Sequence, residues 1–245
     1  ADASVWAGAL ASIFALMQFL FGPLLGTLSD RVGRKPIILI SLIVMVGYYF
    51  IMAVAQTVWL LLIGRIVGGI TAATHATASA YVADISTSKE KAARFGLVGA
   101  AFGMGFVLGP VLGGLLGEFG PRAPFYAAAA LAALNALSCA IWLRESVTDD
   151  IRQSFDWRRA NPFGAFQALA KLGGLRDMFI VFLLYSIGTA IYAAIWPFFT
   201  EVRFDWSPGM IGISLTIYGV CFAVVQGALV KPFIARFGER RTLIY

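Results

Sequence analysis

Gly26-Thr27-Leu28-Ser29-Asp30-Arg31-Val32-Gly33-Arg34-Lys35-Pro36 sets four charges between two runs that have none, residues 5–28 and 37–55. The hydrocarbon core of a bilayer is about 30 Å thick and a helix rises about 1.5 Å per residue, so roughly 20 apolar residues cross it. Both runs meet that length, which makes the charged stretch a loop between two membrane helices. Five more runs follow, uncharged or, with Arg65 in the first of them, nearly so, at residues 58–83, 95–117, 123–143, 178–200 and 209–230. Across the 245 residues, 60% are hydrophobic and 13% charged. A soluble domain carries about a quarter charged residues, so water is not this chain's solvent. The runs are continuously apolar and lack the alternation of a membrane β-barrel. The sequence therefore predicts an all-α integral membrane protein with seven spans.

The net charge of +6 follows from topology. Of the 19 lysines and arginines, 16 fall in alternate loops, after the first, third, fifth and seventh spans. The other loops hold only Arg122 and Arg203, and Arg65 lies inside a span. Cytoplasmic loops are the ones enriched in cations, so the 16 face the cytoplasm and the N-terminal end lies outside. This distribution gives no reason to expect nucleic acid as a partner. Cys139 and Cys221 sit in apolar runs as small hydrophobes, and neither a disulfide nor a metal site is expected.

The longest connection, residues 144–177, divides five spans from two, which predicts domains at 1–143 and 178–245 joined by a central cytoplasmic loop. Within that loop residues 162–171 read as a surface helix with Phe163, Phe166 and Leu169 on one side. An echo crosses the divide: Arg31-Val32-Gly33-Arg34-Lys35 closes the first span and Arg236-Phe237-Gly238-Glu239-Arg240 the last. Repeated halves mark many secondary transporters.

Several residues carry chemistry that a packed bundle alone would not need. In the first loop Gly26 and Gly33 permit a tight turn, while Asp30 and Arg34 offer opposite charges at the ends of two helices. Asp84 ends the third span at the same membrane level. Arg65 is the one charge in a span's interior, where ionisable groups are costly and usually functional. His75, the sole histidine, reads as hydrogen-bonded to a neighbour. Gly105, Gly109, Gly113 and Gly117 recur every fourth residue and predict a side-chain-free face for close helix packing, with Pro110 bending the helix. Tyr185, Thr189, Tyr192 and Trp196 form one stripe of polar-tipped aromatics suited to an amphipathic ligand, with Gln226 on the seventh span a softer candidate.

These motifs together resemble the major facilitator superfamily. Residues 26–36 are similar to its signature loop, Gly105, Gly109, Pro110, Gly113 and Gly114 to the antiporter motif of its drug:proton exporters, and Arg65 with Gly69 to its fourth-helix motif. Ala15-Leu16-Met17-Gln18-Phe19, Gly64 to Ile70 and Tyr81-Val82-Ala83-Asp84 resemble the tetracycline-resistance type. The resemblance implies twelve helices in two bundles, of which this chain would supply the second to the eighth. It implies a gating cluster of Gly26, Asp30, Gly33, Arg34 and Asp84, and a proton pathway through Arg65. It also implies an acid where Tyr48 stands and a histidine where Phe222 stands, so it points to drug efflux without naming tetracycline.

The function expected is proton-driven efflux of amphipathic small molecules by alternating access, in a bacterial inner membrane. A monomer is expected, with the proton gradient as energy source, no cofactor, and a small-molecule substrate, protons and the lipid bilayer as its partners. An enzyme is not, since no nucleophile, metal cluster or paired intramembrane carboxylates are seen. The rivals are a uniporter or importer of the same fold, and a seven-helix receptor or sensor, which gives no reason for the signature loop.

Overall fold

The computed structural model describes residues 2–72, 74–148, 150, 152–157, 160–164 and 176–238. Outside the described residues lie the side chains of His75 and Gln226, most of the predicted surface helix at 162–171, and Glu239 and Arg240 of the echo. The described residues form α1 (Asp2–Val32), α2 (Arg34–Val54), α3 (Val58–Thr71), α4 (Thr74–Asp84), α5 (Lys91–Gly117), α6 (Ala123–Trp142), α7 (Arg176–Phe204) and α8 (Pro208–Val224). One π-helical turn, Val225–Leu229, then leads into α9 (Val230–Phe237). Among them there is no strand. Six segments are long and apolar enough to cross a membrane, with Val58–Asp84 counted as one.

Two of the expected spans are not single regular helices. The third breaks between Thr71 and Thr74. Gly68, Gly69 and Thr71 are weak helix formers, and the Thr71 hydroxyl bonds back to the carbonyls of Val67 and Gly68 at 3.1 and 3.3 Å. The Thr74 hydroxyl then bonds the Thr71 carbonyl at 3.0 Å. These side chains offer the backbone an alternative to the regular ladder. The seventh span is α8, at 17 residues, continued by the π turn and α9.

Helix starts follow local chemistry. Gly33 separates α1 from α2 with φ 122°, a conformation glycine adopts readily, and a Cβ there would run into the Glu145 carboxylate. Thr57 caps α3 by accepting from the Leu60 amide at 3.3 Å. Ser207 caps α8, and Pro208 occupies its first turn, where the missing N–H costs nothing.

The chain forms two compact units, residues 1–95 with 122–199 and residues 96–121 with 200–245. This groups most of α5 with α8, whereas the sequence division falls at 144–177. In the first unit α2 packs on α6 and α3, and α1 packs on α3. Ile38, Leu42, Ala136 and Cys139 form a buried cluster on α2 and α6, with Leu39, Tyr81 and Leu143 against it. Elsewhere large apolar side chains such as Leu97, Leu134 and Leu184 are exposed. In the second unit α5 and α8 meet backbone to backbone, as described below.

Candidate functional site

The signature-loop residues assemble at the ends of α1, α2 and α4. Arg34, in the first turn of α2, sends its guanidinium to Asp30 at 2.6 Å and to Asp84 at 3.0 Å. A third nitrogen donates to the Ser29 hydroxyl at 2.6 Å. The Arg34 side chain is 11% exposed, Asp84 19% and Asp30 26%, so these charges are largely removed from bulk screening. A planar guanidinium presents its donors in a fixed fork, which suits it to hold two carboxylates and a hydroxyl at once. Three helix ends are thereby tied by one side chain. Gly33 is required by its dihedral angle, whereas a Cβ at Gly26 would meet no atom within 4 Å. Gly26 contributes instead a carbonyl that accepts from Ser29 at 2.7 Å.

The sequence reading misses Glu145 and Ser146, just beyond α6. Glu145 accepts from the amides of Arg34 at 2.8 Å and Lys35 at 3.2 Å, and from those of Ser146 and Val147. It supplies the cap that Gly33 cannot provide, satisfying the orphan amides at the start of α2. The Ser146 hydroxyl reaches Asp84 at 3.2 Å, and the Gln153 amide bonds the Asp30 carbonyl at 3.2 Å. The start of the central loop is thus built into the cluster. An acid just past a span was the only signal, and its target depends on which helix lies next door.

Arg65 lies on α3 with its guanidinium 5.7 Å from the centre of the Phe14 ring. Its Nε is buried without a hydrogen-bond partner among the described residues. The flanking glycines bring other elements close: a Cβ at Gly69 would stand 2.6 Å from the Phe14 carbonyl, and one at Gly68 would stand 2.8 Å from the Tyr48 ring. Tyr48 is 6% exposed and packs on Phe14 and Tyr49. Arg65 therefore sits in an aromatic setting of Phe14 and Tyr48.

The antiporter-motif residues divide. Cβ atoms at Gly105, Gly109 and Gly113 would meet nothing within 4 Å among the described residues. The face predicted from the four-residue repeat is thus not the packed one, apart from Gly117, which meets Pro208. A Cβ at Gly114 would stand 2.7 Å from the Pro208 carbonyl and 2.9 Å from the Gly212 Cα. One at Gly212 would in turn strike the Pro110 carbonyl. The partner decides the face: α8 offers Pro208 and Gly212, and the side of α5 that matches them carries Pro110, Gly114 and Gly117. Pro110 lies inside α5. Further along, the Thr216 hydroxyl is shared between the Gly212 carbonyl of its own helix at 2.9 Å and the Val107 carbonyl at 3.2 Å. Where α5 ends, Glu118, also missed in the sequence, accepts from the Gly209 amide at 2.7 Å.

The aromatic stripe lies along α7. Tyr192 and Trp196 stack with centroids 5.3 Å apart at 29°, and Tyr185 is 61% exposed. The Thr189 hydroxyl donates to the Tyr185 carbonyl at 3.0 Å, so it serves its own helix. Among the described residues no group of three or more His, Cys, Asp or Glu could hold a metal.

Comparison with known proteins agrees with this architecture. The chain is 43% identical to the class C tetracycline resistance protein of Escherichia coli over 97% of its length and 60% of that protein's. It is 31% identical to multidrug resistance protein 1 of Bacillus subtilis (strain 168), with the same coverage of each. Among solved structures it resembles the human organic anion transporter MFSD10, with a TM-score of 0.70 and 28% identity, covering 91% of this chain and 56% of that one. The chain thus spans about 60% of the length of these curated relatives. The Major Facilitator Superfamily profile matches residues 3–245, and with that match and these relatives the chain belongs to the Major Facilitator Superfamily.

Proposed function

We propose that the chain serves proton-driven efflux of amphipathic small molecules by alternating access, as a monomer in the inner membrane. The observation that carries this reading is its likeness to drug-resistance proteins along nearly its whole length. The Asp30–Arg34–Asp84 cluster supports it, because a charge latch that joins three helix ends can hold one of two access states. Arg65 supports a proton pathway: its Nε, buried and without a partner among the described residues, can take an acceptor that arrives during the cycle. The Tyr192 and Trp196 rings suit a flat, lipophilic substrate. Tyr48, packed where the resemblance implies an acid, favours a substrate other than tetracycline.

The test is transport by the protein expressed from its complete open reading frame and reconstituted in vesicles with an imposed pH gradient. Lipophilic drug accumulation that collapses when the gradient is dissipated supports the reading, and Tyr192→Ala should change which drugs accumulate. Transport indifferent to the gradient favours the uniporter. No transport of any drug overturns efflux.

A further inference from the structure

Glu118 ends α5 on the face that the cation distribution places outside. It accepts from the Gly209 amide, in the first turn of α8, at 2.7 Å, and from the Ser207 hydroxyl. Ser207 also accepts from the Met210 amide, so the carboxylate and the helix cap form one unit. Directly below, the Gly114–Gly212 crossing brings two backbones together, with side chains packed on either side of it, Pro208 beside Gly117 and Val107 with Phe106 beside Gly219. The group at the end of such a crossing has a long lever. A carboxylate at a helix N-terminus meets both the orphan amides and the positive end of the helix dipole.

We propose that Glu118 is a positioning residue, a fixed negative charge that pins the first turn of α8 onto α5 and keeps this crossing closed. The pin rests on geometry alone; only its consequence for access from outside rests on the transport reading. The Ser207 hydroxyl first, and the Gly209 amide second, hold the Glu118 carboxyl below the ordinary carboxylate range. Glu201, Arg203 and Asp205, on the chain leading into α8, are not among the groups that set its ionisation. A carboxyl depressed in the closed state favours closure above its free pKa, about 4.3, and loses that effect as pH falls through the lowered value. Glu118 therefore stays charged throughout the neutral and mildly acidic range and acts as a clamp, not as a proton carrier.

The experiment uses the protein expressed from its complete open reading frame in lipid nanodiscs, with its cysteines, Cys139 and Cys221 included, replaced by serine. Nitroxides at Leu115→Cys and Ile213→Cys report helix separation by dipolar broadening. The parent should stay broadened from pH 8 down through the ordinary carboxylate range and sharpen only at lower pH. Glu118→Gln should increase the separated population about two- to fivefold at pH 7, the range for a charge at a helix N-terminus, and lose the pH dependence. Ser207→Ala keeps the carboxylate but removes one donor, so its sharpening should begin at higher pH. If Glu118→Gln does not fold, the Ser207→Ala shift decides. A Glu118→Gln spectrum identical to the parent at pH 7, an unchanged pH profile in that variant, or no shift in Ser207→Ala overturns the proposal, whatever the transport assay gives.

Discussion

The α2–α6 pair and the α5–α8 pair solve the same problem in opposite ways. Along α2 and α6, Ile38 and Leu42 pack against Ala136 and Cys139, and both ends are fastened by charge. Glu145 caps the start of α2, the Lys35 ammonium donates to the Ala140 carbonyl near the end of α6 at 3.1 Å, and Arg122 donates to the Ala55 carbonyl at the end of α2 at 3.2 Å. Each group meets a helix end of opposite partial charge. Between α5 and α8 the closest contact is glycine on glycine, with Pro208 at Gly117, Val107 and Phe106 at Gly219, one threonine hydroxyl and one carboxylate beside it. The first pair is held by a buried cluster of side chains together with its fastened ends. The second is held chiefly by close backbone approach, with few side chains at the crossing itself.

The sharpest way to break this contrast is to put a side chain into the second pair. Gly114→Leu has to displace backbone at 2.7 and 2.9 Å, which cannot rotate away. We expect a loss of about 3 kcal/mol, the upper end of the usual overpacking range, in denaturation of the chain in mild detergent. Gly109→Leu, which meets open space within 4 Å, should change stability by less than about 0.5 kcal/mol, as substitutions away from packed features do. Equal losses would show that the repeated glycines, and not the α8 crossing, define the packed face.

The charge cluster should give the next largest effect. Asp30→Asn keeps the shape but removes the charge 2.6 Å from Arg34, costing about 2 kcal/mol as for a hydrogen bond to a charged group. On the efflux reading proposed above, drug export by the complete protein should be lost while membrane insertion is retained. Normal export with Asp30→Asn would reduce the cluster to a marker of topology.

Legibility from sequence tracks whether a residue's role is local. Six of the seven apolar runs were readable as helices long enough to cross a membrane because hydrocarbon thickness fixes their length, whereas the seventh gives a regular helix of only 17 residues. Asp30, Gly33 and Arg34 were readable because they act on neighbours in the same loop. The break at Thr71 was hidden, since threonines that bond their own backbone leave hydropathy unchanged. Glu145 and Glu118 were hidden for another reason: each acts on the first turn of a helix distant in sequence, and only the fold says which. The glycine face failed likewise, because a four-residue repeat identifies a smooth stripe but the partner helix chooses where to lie.

The smallest effect tests whether the ends of the first pair are fastened as described. Glu145→Ala removes one acceptor shared by the first amides of α2, and loss of such a cap typically costs about 1 kcal/mol. Glu145→Gln keeps an acceptor oxygen and loses only the charge, so it should fall between the parent and Glu145→Ala. Lys35→Met removes the donor to Ala140 at the neighbouring end of α6 while keeping the aliphatic stem, and should cost less than about 1 kcal/mol. The two sites share the α2–α6 junction, so the double variant should depart from additivity if the fastening is cooperative. Thermal denaturation of all four variants in one detergent gives the cycle. A Glu145→Ala variant as stable as the parent would mean that side-chain packing alone holds the pair, and the contrast with α5–α8 would then lie in their cores and not in their ends.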